Sequence, residues 1–350
     1  MTQSSSTRPV GIITDEEINP FQEDTTGTPL MIRRQCCGYL FLCNDQYQCK
    51  NSHNRHNPLV SNAPVGIANL GLTCYISASL QSLLNIHEFK QNIASVFKEV
   101  QNMDGYTIIK HMGGFVNAYK LKDVHDMKKY ELNLISEIGK RFTIFKLKKM
   151  QDASEFLQIL IDLLDEELDS LSLAGSATNF IKTLFEFQIL RPFTCNSCIQ
   201  CNLTQKSKHF LCNQLADATS GKSIVNCIKE TIEENLESSL CESCTIAPTT
   251  NWVTFPKVLI IHLSRSELDN TKLHDEVKIP TVFNIQLTVF NITAIISHEG
   301  NSLDFGHYVS DIKKDNVWYH CNDSIVKKAE ENYTLTKCSR TSYILFYKRS

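Results

Sequence analysis

The feature of this chain that most restricts its fold is a change in hydrophobic period along the sequence. From about residue 69 to residue 168 the apolar residues recur at helical spacing, as in Phe156, Leu160 and Leu164. After Trp252 they form strand-like runs at 258–263, 293–297, 308–312 and 343–346. Helices that precede strands in this way predict an α+β fold, with helices packed against an antiparallel sheet.

Cys74 lies at the start of the first helical pattern. Thr73 is predicted to cap this helix by accepting a backbone N–H bond, which places Cys74 in the first turn. There the positive end of the helix dipole favours thiolate over thiol. His307, far downstream, is a candidate base that takes the thiol proton and returns it to a leaving amine. The competing interpretation is a buried core cysteine, which is the commoner fate of this residue type.

Composition narrows the class of protein. The 350 residues, 42% of them hydrophobic, suffice for one large core or two smaller ones. A formal net charge of -3 gives no electrostatic footprint for nucleic acid or an anionic membrane, so neither is expected as a partner. Without a long apolar span or the apolar core of a secretion signal, we expect an intracellular protein, cytoplasmic or nuclear. The 14 cysteines then indicate metal binding and thiol chemistry rather than disulfides.

Several ordered blocks resemble those of the ubiquitin-specific proteases, the papain-like cysteine proteases that remove ubiquitin. They comprise a cysteine block at Val65–Gln81, a second block at Gln151–Leu157 and a strand block at Pro256–Arg265. Histidine blocks follow in order at 298–300, 306–308, 318–323 and 343–347. The resemblance extends from about Pro64 to Lys348, so it implies a catalytic domain at 63–350. Its implied fold has a helical thumb, a palm built on the antiparallel sheet, and zinc-tipped β fingers at about 180–255.

The resemblance also implies an activity, hydrolysis of the (iso)peptide bond at the C-terminal glycine of ubiquitin through a thioester. No catalytic cofactor is expected, and the partners are ubiquitin or ubiquitinated proteins. Cys74 would be the nucleophile, His307 the base and Asn322 the orienter of the imidazole, with the neighbouring Asp323 as the alternative orienter. Asn69 matches the family's oxyanion donor, and its competing role is that of a turn residue before Gly71.

Asp152 and Glu155 admit two roles that do not exclude each other. Their spacing is that of a capping box in acidic form, with Asp152 capping a helix and Glu155 as its reciprocal partner. The resemblance also places both carboxylates near the arginines of the ubiquitin tail, and they are therefore candidate substrate-binding residues.

The clearest metal signal is a pair of Cys-x-x-Cys motifs, Cys195 with Cys198 and Cys241 with Cys244. Each motif brings two thiolates to one ion, and two motifs complete a tetrahedral structural zinc site closed to catalysis. Cys201 offers an extra ligand, and metal-free thiols are the alternative. By resemblance this site lies at the tip of the fingers.

Residues 1–62 are predicted to form an N-terminal extension. About the first thirty are rich in Ser, Thr, Pro and acidic residues without any period, which favours disorder. A polar stretch then concentrates cysteine and histidine, and Cys43, Cys49 and His53 have spacings that a small zinc site tolerates. A tail with reduced thiols is the alternative, because no Cys-x-x-Cys pair is present there.

Some positions depart from the family pattern. Leu72 stands where an asparagine is usual, Ser77 and Ala78 replace Asn-Ser, and Met150 replaces a glutamine. None of these changes removes a group that performs chemistry. They keep open two alternatives to an efficient deubiquitinase, a catalytically weak ubiquitin-binding protein and a protease for another ubiquitin-like modifier.

Overall fold

A computed structural model describes residues 32–36, 39–43, 63–145, 150–192, 204–209, 211–215, 223–226, 228, 252–265, 272–285, 287–302 and 305–350. The chain divides into two units, 1–62 and 63–350. In the first unit, β1 (Ile32–Cys36) pairs antiparallel with β2 (Tyr39–Cys43). Within the described residues no helix is both long and apolar enough to cross a bilayer.

Helices occupy the first part of the second unit, as the apolar period predicted. They are α1 (Cys74–Asn85), α2 (His87–Val100), α3 (Thr107–Leu121), α4 (Val124–Arg141), α5 (Ala153–Leu173) and α6 (Phe180–Phe185). Helix α3 has no side-chain cap of its own. The buried Glu167 of α5 accepts the N–H groups of Ile108 and Ile109 at 3.0 and 2.8 Å, which satisfies donors that a helix start leaves unpaired.

The strands follow in two sheets. They are β3 (Phe187–Pro192), β4 (Thr204–His209), β5 (Leu211–Leu215), β6 (Trp252–Thr254), β7 (Val258–Ser264), β8 (Val282–Ile285), β9 (Thr288–Glu299), β10 (His307–Lys314), β11 (Val317–Asn322), β12 (Ile325–Ala329) and β13 (Ser342–Arg349). The smaller sheet has the order β4-β3-β6, and the larger has the order β12-β11-β10-β9-β13-β7-β5, with β8 paired to β9. Pairing is antiparallel except between β5 and β7.

Central strands of the larger sheet are apolar on both faces because they separate two hydrophobic cores. On β13, Ile344 and Phe346 enter the core shared with the helices, whereas Leu345 and Tyr347 enter a second core on the opposite face. Successive strand residues point to opposite faces, so each core receives alternate residues. Helix α7 (Glu331–Thr341) contributes its buried Cys338 to the second core.

Helix α1 is buried along nearly its whole length between the sheet and α5. Polar contacts fix its position on the strands: Ser82 Oγ lies 2.9 Å from Ser310 Oγ of β10. Asn85 Nδ2 donates to the carbonyls of Thr293 and Lys313 at 2.9 and 3.1 Å. The expected arrangement, in which the helix that begins at Cys74 packs against an antiparallel sheet, is confirmed.

Candidate active site

Cys74 is the first residue of α1 and is only 1% exposed. The turn before it contains Gly71 and Leu72, both in the left-handed region with φ of 100° and 61°. Asn69 Oδ1 closes this turn by accepting the N–H groups of Gly71 and Thr73, each at 3.0 Å. The turn role considered for Asn69 is therefore present in the structure.

The predicted cap of α1 by Thr73 is wrong. Thr73 Oγ1 accepts the N–H of Leu70 at 2.8 Å, on the side of the turn, and α1 has no side-chain cap. The hydroxyl oxygen is used to shape the turn, so the first amide groups of α1 have no side-chain acceptor. Unpaired N–H groups at a helix start favour negative charge, which at this position means the thiolate of Cys74 or an oxyanion formed beside it.

His307 begins β10 and Asn322 ends β11, so two adjacent strands bring them together. Nε2 of His307 lies 2.9 Å from Oδ1 of Asn322 and 3.8 Å from Oδ2 of Asp323. Because the amide oxygen only accepts, the imidazole donates through Nε2, and Nδ1 remains to face the thiol. Of the two candidate orienters, Asn322 is the one in hydrogen-bond contact.

The imidazole of His307 also forms a hydrogen bond with Cys74, and this bond is the main cause that raises the pKa of His307 to about 9. Burial acts in the opposite direction, whereas the bond to Asn322 and the charge of Asp323 add to the rise. At neutral pH the ring is therefore protonated while it faces the thiol. A ring held in this way can exchange a proton with the sulfur of Cys74.

Asp323, directly after β11, connects the turn before Cys74 to the strand that pairs with β10. Its Oδ2 accepts from Nδ2 of Asn69 at 3.2 Å, and its backbone carbonyl accepts the N–H of Ile67 at 3.0 Å. Burial raises the pKa of this carboxyl, and the Asn69 bond and the charge of His307 oppose the rise. The Asn69 amide nitrogen thus has one acceptor among the described residues and keeps a second proton available.

Asp152 caps α5, as the sequence predicted. Its Oδ1 accepts the N–H groups of Ser154 and Glu155 at 2.7 and 3.0 Å. Its Oδ2 accepts from the hydroxyls of Tyr343 and Tyr308, so the carboxylate also contacts the residue that follows His307. Burial acts to raise the pKa of Asp152, but the bonds from Ser154, Tyr343 and Glu155 lower it overall. The side chain of Glu155, by contrast, is exposed.

A family model described as ubiquitin carboxyl-terminal hydrolase matches residues 65–347. The chain belongs to this family. With membership comes the family's activity, the hydrolysis of ubiquitin conjugates by a cysteine-type deubiquitinase with a papain-like α+β fold. The resemblance seen in the sequence blocks is thereby confirmed.

Two curated relatives illustrate how far this hydrolase has diverged. It is 25% identical over 337 residues to ubiquitin carboxyl-terminal hydrolase 12 of Salmo salar, covering 81% of this chain and 89% of the relative. It is 23% identical over 329 residues to probable ubiquitin carboxyl-terminal hydrolase 8 of Schizosaccharomyces pombe, covering 87% of this chain and 69% of the relative.

Solved structures show the same fold. The SAGA Ubp8/Sgf11/Sus1/Sgf73 DUB module bound to ubiquitin aldehyde matches the hydrolase with a TM-score of 0.63 at 20% identity, covering 82% of this chain and 69% of that chain. The SAGA Ubp8/Sgf11/Sus1/Sgf73 DUB module matches with a TM-score of 0.62 at 20% identity, over 82% and 67% of the two chains.

The predicted zinc ligands Cys195, Cys198, Cys241 and Cys244 lie outside the described residues, as do Cys49 and His53 of the N-terminal cluster. Cys43 ends β2, and nothing is described of its side chain. Among the described residues no group of three or more His, Cys, Asp or Glu side chains is arranged to hold a metal ion.

Sequence reasoning missed two buried charged groups near the site, Glu131 and Lys272. Glu131 of α4 is 1% exposed and forms a hydrogen bond with Thr73. Lys272 is 7% exposed and bonds to the segment that precedes His307. Neither residue belongs to a local motif, because its partners are distant in the sequence. The available signal was a charged residue within an otherwise apolar helical face, as at Glu131.

Proposed function

We propose that Cys74, His307 and Asn322 perform the deubiquitinating reaction of this chain. The observation that carries the proposal is the continuous arrangement of thiol, imidazole and amide, with His307 bonded to Cys74 on one side and to Asn322 at 2.9 Å on the other. A nucleophile, its base and the orienter of that base are the minimum set for covalent cysteine catalysis.

In the first half of the reaction, the Cys74 thiolate attacks the carbonyl carbon of the terminal glycine of ubiquitin. The resulting oxyanion accepts hydrogen bonds from the free proton of Asn69 Nδ2 and from the backbone N–H of Cys74. As the C–N bond breaks, the His307 imidazolium gives its proton to the departing lysine amine. The products are a ubiquitin thioester on Cys74 and a neutral imidazole.

In the second half, His307 takes a proton from water, and the resulting hydroxide attacks the thioester carbon. Breakage of the C–S bond releases ubiquitin with a free carboxyl group, which loses its proton to water, and restores the thiolate–imidazolium pair. Asn322 holds the ring so that Nδ1 faces the sulfur in both halves. Loss of the Asn69 donor is expected to lower kcat by about 10²–10³, the usual effect of removing one oxyanion donor.

A ubiquitin probe with a C-terminal electrophile tests the nucleophile. We expect one covalent adduct, abolished by Cys74→Ser. Cys338→Ser is the matched control, because Cys338 is fully buried and burial raises the pKa of its thiol. An adduct that survives Cys74→Ser would contradict the assignment. Ubiquitin binding without turnover would favour a catalytically weak ubiquitin-binding protein. Cleavage of another modifier in place of ubiquitin would favour a protease for that ubiquitin-like modifier.

We further propose that Asp152 and Glu155 bind the basic tail of ubiquitin. Glu155→Arg is expected to raise KM without lowering Tm, because this side chain is exposed. Asp152→Asn keeps an N-cap acceptor but removes the charge, so it separates substrate binding from capping. The control is Asp162→Arg, the same charge reversal at an exposed position of α5. An equal effect on KM at Asp162 would refute the proposal.

We propose that the four cysteines of the two Cys-x-x-Cys motifs hold one structural zinc ion. Strand pairing supports this, because β3 ends at Pro192 shortly before Cys195, and β6 begins at Trp252 shortly after Cys244. Leu190 pairs with Trp252, so the chain leaves β3 and enters β6 at the same end of the smaller sheet. Both motifs therefore connect to one end of that sheet.

Metal analysis of the purified chain tests the zinc proposal. We expect one zinc ion per chain, and its loss together with lowered stability in Cys198→Ser, because binding to a closed thiolate site is coupled to folding. Cys321→Ser, at a described buried cysteine, is the control. Absence of zinc would refute the site, and two ions per chain would indicate a second site at Cys43, Cys49 and His53.

We also propose that residues 63–350 are the catalytic domain and residues 1–62 an extension, which agrees with the division of the chain into two units. A reduced thiol is required at Cys74, and this supports residence in a reducing compartment, the cytosol or nucleus. Expression of 63–350 with full activity on a ubiquitin substrate would support the boundary, whereas loss of activity would move it.

A further inference from the structure

Lys272 is a buried lysine, and among the described residues its ammonium group bonds only to neutral acceptors. Its Nζ donates to the carbonyls of His298 and Gly300 at 3.0 and 2.6 Å and lies 3.0 Å from Nδ1 of His298. These three acceptors account for all three ammonium protons. No carboxylate of the described residues forms an ion pair with Lys272. A buried cation without an ion-pair partner is costly, so the ammonium depends on these three acceptors.

The acceptors of Lys272 lie at the start of the segment that leads to the catalytic base. His298 and Glu299 end β9, Gly300 follows, and β10 begins at His307, which pairs with Glu299. The ammonium therefore holds the backbone on the strand directly beside His307. The next residue, Tyr308, packs on the His298 ring at a centroid distance of 4.6 Å.

Two glycines bring the ends of this segment into contact. Gly300 has φ of 144°, and a Cβ there would lie 2.7 Å from the carbonyl oxygen of Phe305 and 2.8 Å from Cα of Gly306. A Cβ on Gly306 would lie 2.2 Å from Nε2 of His298. The His298 ring thus packs directly against the residue that precedes His307, leaving no space for a side chain between them.

The bond from Lys272 also determines the protonation of His298. Because the ammonium donates, Nδ1 must be the acceptor, and the ring proton is on Nε2, the atom directed at Gly306. Burial, and next the charge of Lys272, lower the pKa of His298 to about 4, so the ring stays neutral at physiological pH. A neutral ring at this position adds no charge beside the His307 imidazolium.

We propose that Lys272 is a positioning residue of the reaction, which fixes the His298–Gly306 contact and thereby the place of the His307 imidazole relative to Cys74. The inference rests on the proposed role of His307 as the base. It assigns Lys272 an effect on the chemical step rather than on the affinity for ubiquitin, since the buried ammonium bonds to the strand end beside His307.

The test compares Lys272→Met with Lys337→Met. Methionine matches the length of the lysine stem and removes the three bonds. Lys337 is the matched control, because it pairs with Glu299 of the same strand end at 2.7 Å but touches neither carbonyl. For Lys272→Met we expect kcat on a ubiquitin substrate to fall about 10²-fold, the usual consequence of a displacement of about 1 Å, with KM changed less than about threefold. Lys337→Met should retain wild-type kcat.

The rate at which iodoacetamide alkylates Cys74 is a second measurement, which would be unchanged in the variant if Lys272 only stabilised the fold. The ratio of rates at about pH 6 and about pH 9 measures the thiolate–imidazolium pair, and in Lys272→Met we expect it to fall about tenfold. If Lys272→Met fails to fold, Lys272→Gln, which can still donate two bonds, carries the same test with a smaller loss. Wild-type kcat and alkylation ratio in a folded variant would overturn the inference. Activity retained by His307→Ala would instead overturn the proposed base.

Discussion

Replacing Glu131 by glutamine is expected to stabilise the protein by an amount that grows with pH. Glu131 is 1% exposed, and its Oε1 has no hydrogen-bond partner among the described residues. Burial is the main cause that raises the pKa of this carboxyl from 4.5 to about 8; the bond from Thr73 opposes the rise, and the charge of Asp323 adds to it. In the unfolded chain the group ionises at its ordinary pKa.

The sign and size follow from proton linkage. Between the two pKa values the folded protein binds one proton more than the unfolded chain, so Glu131 lowers the free energy of unfolding as pH rises. The slope is about 1.4 kcal/mol per pH unit. The penalty is about 1 kcal/mol at about pH 5, about 3 kcal/mol at about pH 7 and about 4 kcal/mol at about pH 8, and it levels off above that.

Urea unfolding of wild type and Glu131→Gln at several pH values measures this difference directly. The matched control is Glu137→Gln on the same helix, since Glu137 is partly exposed and pairs with Lys140 at 2.5 Å. Its effect should stay below about 1 kcal/mol at every pH. A stability difference for Glu131→Gln that does not change between about pH 5 and about pH 8 would refute the reasoning, because it would show that the carboxyl has an ordinary pKa in the folded state.

Three further outcomes are expected. His307→Ala should abolish turnover, whereas Asn322→Ala should leave residual kcat, because the proposed base transfers protons and the proposed orienter only holds it. A fall in kcat on substitution of Asp323, with none on substitution of Asn322, would assign the orienting role to Asp323. Arg265→Met should lower the free energy of unfolding by about 3–5 kcal/mol, measured by urea titration, because the buried guanidinium donates to four backbone carbonyls that would lose their donor. A decrease below about 1 kcal/mol would contradict this. Leu72→Asn should raise the free energy of unfolding by about 1 kcal/mol, since asparagine tolerates the left-handed φ of 61° better than leucine does, and an unchanged Tm would argue against that backbone conformation.

The spacing of apolar residues along the chain predicted those helices and strands that have a regular apolar face. The helical period located α1 and α5, and the strand-like runs located β7, β9, β10 and β13, because amphipathic spacing records which residues a core covers. Helix α7 was not predicted, since its buried residues are only Thr334, Cys338 and Ser339 and supply no apolar stripe. Its position depends on the second core, whose residues come from distant parts of the chain.

The candidate site was likewise predicted where its residues form local sequence patterns and missed where their partners are distant in the sequence. Ordered blocks predicted Cys74, His307 and Asn322, which the structure brings into hydrogen-bond contact, and the spacing of Asp152 to Glu155 predicted the cap of α5. The donor to the Thr73 hydroxyl was assigned to the wrong side of the turn, because a hydroxyl before a helix can accept from the helix that follows or from the turn that precedes it. Lys272 was not recognised, since its acceptors at His298 and Gly300 are defined only by the folded backbone.

The position of β13 has a consequence for how the enzyme is made. This strand, the last in chain order of those described, lies between β9 and β7 in the interior of the larger sheet. During synthesis β7 and β9 leave the ribosome first, and each has an unpaired edge until β13 arrives. The part of the sheet that joins β9 to β7 is therefore completed late, through contacts of high sequence separation, which form slowly and leave edges open to misassembly. We expect a nascent protease of this topology to be inactive until β13 has joined the sheet.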